Sequence, residues 1–331
     1  QGLHLAWSEG GDVMDRKMNI RNMPSQDHLL CGQGACAGCG VAIAVRNIMR
    51  ILGENTTVYV PASCLLIFGG GMYPHSAFDV PFLYSAFENT GAVISGIKAG
   101  YRRQGKDVTV IGIAGDGGTF DIGLQALAGA AERNEDVIYV CVDNEAYMNT
   151  GTQRSGSTPF GAWTTTTPVG KKIKGKRGFK KDLMSVVTSQ DIAYAATLSI
   201  AHMNDFVQKV EKAKNLKGFR FLHVMTPCAS GWKSDPSATF DLANMAVETG
   251  MWSLYEVVDG EVSITYRPKE MRPVTEYLKL QGRFKHMSKE DVDTLQSWIC
   301  KKWNKRYCPT APPLEGKEDD LAYGGDGCEG V

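Results

Sequence analysis

The chain has 331 residues, 43% of them hydrophobic, and its 36 basic and 36 acidic side chains balance to a net charge of zero. This length is ample for a packed core, and the balanced charge disfavours a nucleic-acid-binding or membrane-surface protein. No apolar run approaches the roughly 18 residues of a membrane helix. The first residues lack a basic segment followed by an apolar core, so we expect no signal peptide and a cytoplasmic location.

The chain is predicted to contain one large α/β domain. It starts without Met, and residues 1–18 are predicted to be an N-terminal extension or tag. Residues 19–270 are predicted to form the domain, and residues 271–331 a small C-terminal extension. No internal repeats are found.

Hydrophobic periodicity predicts helices and strands that alternate along this domain. In chain order we predict helix 40–52, strand 57–61, helix 88–104, strand 108–114, helix 121–133, strand 137–142, helix 205–214, strand 219–225, helix 240–249, a hairpin at 253–267 and helix 288–305. Residues 63–81 are rich in Gly and Pro and are predicted to be a loop wrapped around a ligand, and residues 150–181 a long irregular loop. Continuous apolar strands indicate a mostly parallel central sheet with helices on both faces.

A glycine-rich turn follows strand 108–114, with the sequence Gly115, Asp116, Gly117 and Gly118. Ligands bind at the carboxyl ends of strands in open α/β sheets, and glycines let the backbone approach a phosphate at the N-terminus of the next helix. Asp116 offers an oxygen ligand of the kind that Mg²⁺ prefers. The alternative is a tight turn that merely uses glycines.

A second polar turn, at 143–151, follows the next strand. Asn144 lies 28 positions after Asp116, and a β–α–β connection can bring the two strand ends together. Asn144 can supply a side-chain oxygen and Ala146 a backbone carbonyl. Two such turns at successive strand ends are a stronger indication of a phosphate and metal site than either turn alone.

Nine cysteines is a high count for a chain with no export signal, so some are expected to be ligands. Cys36 and Cys39 form a CxxC, Cys64 follows 25 residues later, and Cys228 comes just after strand 219–225. A CxxC is typical of an iron–sulfur cluster, a zinc site or a redox disulfide. The absence of a second CxxC disfavours zinc, although a closed four-Cys zinc site stays open. The Gly and Ala neighbours disfavour a thioredoxin-like site.

The remaining cysteines are not predicted to be ligands. Cys141 is expected in the core, and Cys31 is a rival ligand near the CxxC. No role is assigned to the others, which are Cys300, Cys308 and Cys328.

The two turns together resemble the thiamine diphosphate motif, and residues 143–159 resemble one branch of it, the β subunit of the 2-oxoacid:ferredoxin oxidoreductases, most of all the pyruvate enzymes. Residues 161–166 and 277–286 are similar too, and the resemblance covers roughly residues 28–305. It implies a thiamine diphosphate-binding α/β fold.

The resemblance also implies the ligands of three cofactors. Mg²⁺, which grips the diphosphate, would be held by Asp116, Asn144 and the carbonyl of Ala146. A 4Fe–4S cluster would be held by the cysteines at 36, 39, 64 and 228. The residues expected around the thiamine diphosphate are Gly115, Asp116, Gly117, Gly118, Asn144, Ala146, Asn149 and Cys64. Asn149 resembles a residue that faces the substrate and is predicted to orient it, the alternative being a turn cap.

The activity implied is oxidative decarboxylation of a 2-oxoacid, with pyruvate favoured and acetyl-CoA and CO₂ as products. Electrons would leave singly through the cluster to ferredoxin. The implied partners are an α subunit that supplies the activating Glu and part of the substrate pocket, γ and δ or fused ferredoxin-like subunits, ferredoxin and coenzyme A. The chain is therefore expected to be inactive alone, and no nucleic acid or membrane is expected as a partner.

Several alternatives remain open at this stage. The acid is oxalate, 2-oxoglutarate or an aryl glyoxylate in other members of the family. A thiamine decarboxylase without electron transfer and a zinc-stabilised scaffold without thiamine are two further alternatives. The run at 171–181 holds seven Lys or Arg in eleven positions and is typical of a solvated loop, or it docks acidic ferredoxin or a coenzyme A phosphate. His75 and His223 are expected to be packed or surface histidines.

Overall fold

The computed structural model describes residues 17–70 and 76–306, except for the side chains of 304–306. Predictions for residues 1–16, His75, Cys308 and Cys328 lie outside these residues. The α-helices are α1 (Gly40–Leu52), α2 (Cys64–Gly69), α3 (Thr90–Arg103), α4 (Leu124–Glu132), α5 (Leu183–Thr188), α6 (Met203–Asn215), α7 (Ala229–Trp232), α8 (Thr239–Glu248), α9 (Val274–Leu278) and α10 (Lys289–Arg306). The strands are β1 (Thr56–Pro61), β2 (Phe82–Ser85), β3 (Thr109–Gly115), β4 (Val137–Asp143), β5 (Tyr194–Ser199), β6 (Phe219–Met225), β7 (Leu254–Val258) and β8 (Glu261–Tyr266).

The strands form one sheet in the order β2-β1-β3-β4-β6-β5-β7-β8. Strands β1 to β6 are parallel, and the β7–β8 hairpin adds two antiparallel strands at one edge. Asp259 and Gly260 form the hairpin turn with positive φ angles of 48° and 81°, which suits the twist of the adjoining strands. The predicted mostly parallel sheet is therefore confirmed.

Helices cover both faces of this sheet, as predicted. In β4, Tyr139 and Cys141 face one hydrophobic core, while Ile138 and Val140 face the other. The first core takes in α3, α4, α8, α9 and α10, and the second takes in α1 and α6. Because successive side chains of a strand point to opposite faces, a strand that is buried on both faces must be apolar throughout.

Some elements were not predicted from the sequence. Residues 63–81, expected to be a loop, include helix α2, and the short edge strand β2 follows directly. Strand β5 is built largely from small residues and lacks the bulky β-branched side chains that indicate a strand. Even so, it is buried along its whole length.

Helices α9 and α10 pack directly on the first core. Tyr277, Ile299 and Trp303 are buried there against side chains from the sheet. The boundary at residue 270 stays a prediction. No helix in the described part of the chain has both the length and the apolar character needed to cross a membrane.

The order of the strands creates a crevice between β1 and β3. From β1 the chain passes outward to β2, whereas from β3 it passes in the opposite direction to β4. The segments that leave the two strands therefore diverge, and a crevice opens beyond their carboxyl ends. The two turns predicted to bind a ligand lie at this point.

Candidate active site

A cleft lies beyond the carboxyl ends of β1, β3 and β4. Gly115 to Gly118, Asn144, Ala146 and Asn149 line it, and so does Cys64. Ligand sites in open α/β sheets lie at this end of the strands. The structure thus brings the two polar turns and one predicted cysteine to a single cleft.

Three polar groups converge at the floor of this cleft. One terminal atom of the Asn144 amide lies 3.1 Å from the Ala146 carbonyl oxygen and 3.1 Å from Asp116 Oδ1. If this atom is the amide nitrogen, Asn144 donates to both oxygens. If the amide is turned by 180°, the atom is the amide oxygen, and it then lies near the oxygens of Asp116 and Ala146. Ligands about 2.1 Å from Mg²⁺ and at right angles to each other lie about 3.0 Å apart. The two distances from Asn144 therefore match the spacing of neighbouring oxygen ligands around one Mg²⁺.

The turn between Asn144 and Ala146 is held in an unusual conformation. Glu145 has a φ of 65°, in the left-handed region that few residues other than glycine adopt. Its buried carboxylate accepts a hydrogen bond from Arg283 Nη2 at 2.5 Å, and Trp232 Nε1 donates to the Asn144 carbonyl at 2.8 Å. These contacts hold a strained backbone that aims the side chain of Asn144 and the carbonyl of Ala146 at the same point.

Asp116 is a buried carboxyl group, only 1% exposed. Ser155 Oγ donates to it at 2.5 Å, and it makes no ion pair with any side chain in the described part of the chain. Burial and the neighbouring Asp143 raise the pKa of Asp116 well above its usual value. A cation bound beside this carboxylate would remove that penalty.

The neighbouring carboxylate of Asp143 is by contrast paired with basic side chains. Burial opposes its ionisation, but Lys180 and His223 outweigh burial and hold the pKa of Asp143 below its usual value. Lys180 Nζ and His223 Nε2 each lie 2.7 Å from Asp143 Oδ2. His223 is therefore a packed histidine, as predicted. The two aspartates have different roles, one paired within the protein and one left facing the cleft.

The first turn after β3 needs its glycines for close packing. A Cβ atom at Gly117 would lie 2.5 Å from the ring of Tyr147, and one at Gly118 would lie 3.2 Å from the Phe87 carbonyl oxygen. The chain then forms a π-helical turn, Gly118–Ile122, which leads into α4. The N-terminus of this helical segment is bare backbone at the cleft, which suits an anion such as a phosphate.

The four predicted cluster cysteines lie together beside the cleft. Burial raises the pKa of the Cys64 thiol to about 12, and the nearby thiols of Cys228, Cys39 and Cys36 act in the same direction. Cys39 precedes α1 and Cys228 precedes α7, where Gly231 N donates to Cys228 Sγ at 3.4 Å. A backbone N–H at the start of α7 therefore points at Cys228 Sγ, and the backbone of Val41 and Ala42 in α1 acts to lower the pKa of the Cys39 thiol against the larger effect of burial.

The spacing of these sulfurs bears on the kind of metal. Within residues 17–70 and 76–306, no three His, Cys, Asp or Glu side chains are close enough to hold one metal ion. A closed four-Cys zinc site would bring its sulfurs within about 4 Å of each other, because each lies about 2.3 Å from the zinc. The four thiols do not converge in this way in the structure, although those of Cys36, Cys39 and Cys228 lie near Cys64.

The other cysteines lie in different surroundings. Cys141 is buried in β4, which confirms its predicted place in the core. Cys31 is exposed, and it is a minor cause of the raised pKa of Arg46. Cys300 is half-buried in α10.

The basic run 171–181 is only partly the solvated loop that we predicted. Lys176 is buried, Lys180 pairs with Asp143, and Lys181 pairs with Asp121 at 2.7 Å. The prediction is wrong for Lys176 and Lys180, which point inward, whereas Lys181 keeps half of its side chain exposed while it pairs with Asp121.

Other supporting residues went unpredicted. They are Glu145, Ser155, Lys180 and Arg283. Ser155 donates to Asp116, Lys180 to Asp143, and Arg283 to Glu145. The Ser-Gly-Ser-Thr sequence at 155–158 was a usable signal, because three hydroxyl side chains follow closely after the Asn144 turn.

Comparison with known proteins agrees with this geometry. The family described as "Thiamine pyrophosphate enzyme, C-terminal TPP binding domain" matches residues 70–224. The ketoisovalerate oxidoreductase subunit VorB of Pyrococcus furiosus is 45% identical over 291 residues, which is 86% of this chain and 93% of that protein. The pyruvate synthase subunit PorB of Methanothermobacter marburgensis is 45% identical over 278 residues, 84% of this chain and 96% of that protein.

A solved structure shares the fold. It is described as the 2-oxoglutarate:ferredoxin oxidoreductase from Magnetococcus marinus with 2-oxoglutarate, coenzyme A and succinyl-CoA bound. It matches with a TM-score of 0.51 and 20% identity, over 69% of this chain and 80% of that one. Together with the sequence relatives, the thiamine-binding domain and the cleft at the switch point show that this chain belongs to the family of β subunits of the 2-oxoacid:ferredoxin oxidoreductases.

Proposed function

We propose that this subunit binds thiamine diphosphate through Mg²⁺ and passes electrons from a 2-oxoacid to a 4Fe–4S cluster and then to ferredoxin. For pyruvate, the reaction consumes pyruvate, coenzyme A and two oxidised ferredoxins. It yields acetyl-CoA, CO₂, one proton and two reduced ferredoxins. The carbon–carbon bond to the carboxylate breaks, and a thioester bond to coenzyme A forms. The two electrons released are accepted one at a time.

One observation carries this proposal. Cys64 lines the same cleft as Asp116 and Asn144, and the thiols of Cys36, Cys39 and Cys228 lie close to Cys64. A site for a hard cation and a site for a soft metal cluster therefore adjoin a single cavity. A thiamine decarboxylase without electron transfer has no use for the second site.

The oxygen site fits the magnesium diphosphate group. Asp116, Asn144 and the carbonyl of Ala146 form a set of oxygen donors, and such donors suit Mg²⁺. The buried Asp116 carboxyl forms no ion pair with the described side chains, and no atom lies within 4 Å of the Cβ position of Gly115, which leaves open space beside the backbone at the cleft. Bound thiamine diphosphate would supply the chemistry that breaks the carbon–carbon bond. The protein's own part is to fix the diphosphate and exclude water.

Asn149 is proposed to orient the substrate. It lies at the cleft, and its amide acts on the Cys64 thiol and lowers the pKa of that thiol, against the larger effect of burial. It therefore lies at the cavity beside a proposed cluster ligand, where a neutral polar side chain can donate without exchanging a proton.

The cleft also indicates the need for a partner subunit. Asp116 is the sole carboxylate among the described residues that line it, and the proposed metal occupies that group. The activating Glu must then come from another chain. The surface near the cleft is apolar, since Ile67, Tyr84 and Ile122 are each more than half exposed. Exposed apolar surface of this kind suits burial by a partner such as the α subunit.

The substrate is proposed to be pyruvate, with 2-ketoisovalerate as a second candidate. The second candidate is favoured by a specific observation, because a ketoisovalerate oxidoreductase subunit and a pyruvate synthase subunit are both 45% identical to this chain. The two acids differ only in the size of an apolar group, which a pocket discriminates by about 1–3 kcal/mol.

The experiment is turnover of the whole complex, purified without oxygen, on a panel of 2-oxoacids with ferredoxin as acceptor and with or without coenzyme A. We expect brown protein with about four irons in this subunit, and coenzyme A-dependent reduction of ferredoxin by pyruvate. Zinc in place of iron would reject the electron path. Background activity with pyruvate beside strong activity with another acid would reassign the substrate.

A further inference from the structure

The inward-facing lysines of the basic run have no role in the proposed chemistry so far. We propose that Lys176 is a positioning residue that holds the three oxygens of Asp116, Asn144 and Ala146 in place for the Mg²⁺ diphosphate. This inference rests on the proposed function, and it concerns the segment at 155–158, which we name the serine clamp.

The serine clamp contacts both halves of the oxygen site. Ser155 Oγ donates to Asp116 Oδ2 at 2.5 Å, at the end of β3. Thr158 Oγ1 donates to the Glu145 carbonyl at 2.7 Å, between the two other proposed ligands. The clamp therefore fixes the distance between two turns that come from different strands.

A third contact ties the clamp to the end of β4. Ser157 Oγ lies 2.6 Å and 2.7 Å from the two carboxylate oxygens of Asp143, the residue just before Asn144. A shift of the clamp would therefore move the supports of all three proposed ligands together.

Lys176 holds the clamp from behind. Its Nζ donates to the carbonyls of Ser155 at 3.4 Å and Gly156 at 3.5 Å, and also to that of Thr158. The residue is only 4% exposed and forms no ion pair with a carboxylate among the described side chains. A buried ammonium group that is shared between backbone carbonyls fixes the path of the backbone and does not neutralise a charge.

The lysine itself is rigidly placed. The Lys176 backbone N–H donates to the Ala162 carbonyl at 3.0 Å, and its own carbonyl accepts from Gly161 N at 2.7 Å. The preceding residue, Gly175, has a φ of 76°, and a Cβ atom there would lie 2.5 Å from the Gly161 carbonyl oxygen. Only glycine permits this close approach, so the chain at Lys176 cannot easily shift to follow the clamp.

The charges around Lys176 do not supply an alternative role. Burial, Arg154 and Lys180 lower the pKa of Lys176 to about 7, while Asp121 and Glu145 act weakly in the opposite direction. Without the side chain, three buried carbonyls would lose a shared donor and the clamp would relax. A group that orients metal ligands from behind typically changes metal affinity by about 10–100-fold when it is removed.

The test is Lys176→Met in the complex with its partner subunits. We would titrate Mg²⁺ at fixed thiamine diphosphate and follow binding by tryptophan fluorescence. We expect the half-saturating Mg²⁺ concentration to rise by about 10–100-fold, with turnover at saturation close to that of the wild type. Lys174→Met, an exposed lysine of the same run, is the matched control and should bind Mg²⁺ like the wild type.

Ser155→Ala provides a second variant should Lys176→Met fail to fold. We expect Ser155→Ala to weaken Mg²⁺ binding too, and the double variant to be no weaker than the worse single one, because both act through the serine clamp. Binding as in the wild type for either folded variant would overturn the inference. So would a lower turnover at saturation with unchanged Mg²⁺ affinity. A wild-type complex that binds no Mg²⁺ and thiamine diphosphate would overturn the proposed function, and this inference with it.

Discussion

The oxygen site and the cysteine site meet at one cleft, yet they are built in opposite ways. Asp116 and Asn144 are buried, and side chains from several distant segments support the turns that carry them. The cysteines lie at the edge, with Cys36 exposed and Cys39 and Cys64 only partly buried. Their main support is the backbone at the first residues of the helices that begin next to them.

This difference indicates how each site is formed. A site whose ligands are fixed by the protein's own hydrogen bonds is preorganised, and its shape does not depend on the occupant. Sulfurs that are held only by their own loops gain much of their order from the metal that joins them. We therefore expect the oxygen site to persist without its cofactor and the cysteine site to depend on its cluster.

The largest expected effect comes from removing a proposed cluster ligand. Cys39→Ala should lower the iron in this subunit to background and abolish reduction of ferredoxin, because electrons then have no path out of the cleft. Binding of Mg²⁺ and thiamine diphosphate should persist, as the oxygen site is preorganised. Iron analysis and cofactor titration of the complex would check both. Cys300→Ala is the control, and loss of iron in that variant would contradict our assignment of the ligands.

Next in size is the buried ion pair behind the oxygen site. Arg283→Met leaves the buried Glu145 carboxylate with only its longer contact to Lys180, at 3.4 Å, which should lower the free energy of unfolding by up to about 3–5 kcal/mol. Arg272→Met removes a half-exposed pair with Glu276 and should cost at most about 1 kcal/mol. Urea unfolding measures both. Equal losses would show that the buried Arg283–Glu145 pair stabilises the fold no more than a surface pair.

The pH dependence of stability should distinguish the apo and bound forms. The raised pKa of Asp116 means that the folded apo chain binds a proton more tightly than the unfolded chain. This group therefore lowers stability as the pH rises above about 3.8, by at most about 1.4 kcal/mol per unit.

Bound Mg²⁺ should remove that slope, because it favours the ionised carboxylate. Thermal unfolding across pH, with and without Mg²⁺ and thiamine diphosphate, would test this. The Asp116→Asn variant should show the same slope in both conditions. A persistent difference in Asp116→Asn would assign the proton to another group.

The smallest expected effect concerns the outward-facing lysines. Lys171 and Lys172 are exposed, unlike Lys176 and Lys180 in the same run. Reversing both charges should raise the KM for an acidic ferredoxin a few-fold at low salt and less at high salt if this surface docks it. The same KM at both salt concentrations would leave these lysines as solvated surface. The cofactor affinities should not change.

The sequence predicted most strands and suggested the proposed ligands, but it did not predict the side chains that hold those ligands in place. Strand β3 is a continuous apolar run, and the proposed ligands Asp116 and Asn144 lie in short motifs directly after strands, so local pattern was enough. Strand β5 was missed because its small side chains resemble no strand pattern, although its neighbours bury it. Lys176 was misread because a lysine in a basic run carries no local sign that it points inward.

The hydrogen bonds and ion pairs that support the proposed ligands could not be predicted from the sequence, for a similar reason. Arg283 bonds Glu145 across 138 positions of the chain, and Ser155 bonds Asp116 across 39. Such pairs have no fixed spacing and no periodicity, so a single sequence does not indicate them. Only the fold brings them together.

The pairing of Glu145 with Arg283 also has a consequence for biogenesis. The left-handed turn that aims Asn144 and Ala146 lies in the first half of the chain, whereas its partner is synthesised near the end. Until Arg283 is made, the turn lacks its shorter ion pair and can gain only the longer one, from Lys180 at 3.4 Å, among the described side chains. Contacts of such long sequence separation form late in folding. Loading of the metal and the diphosphate should therefore follow completion of the polypeptide.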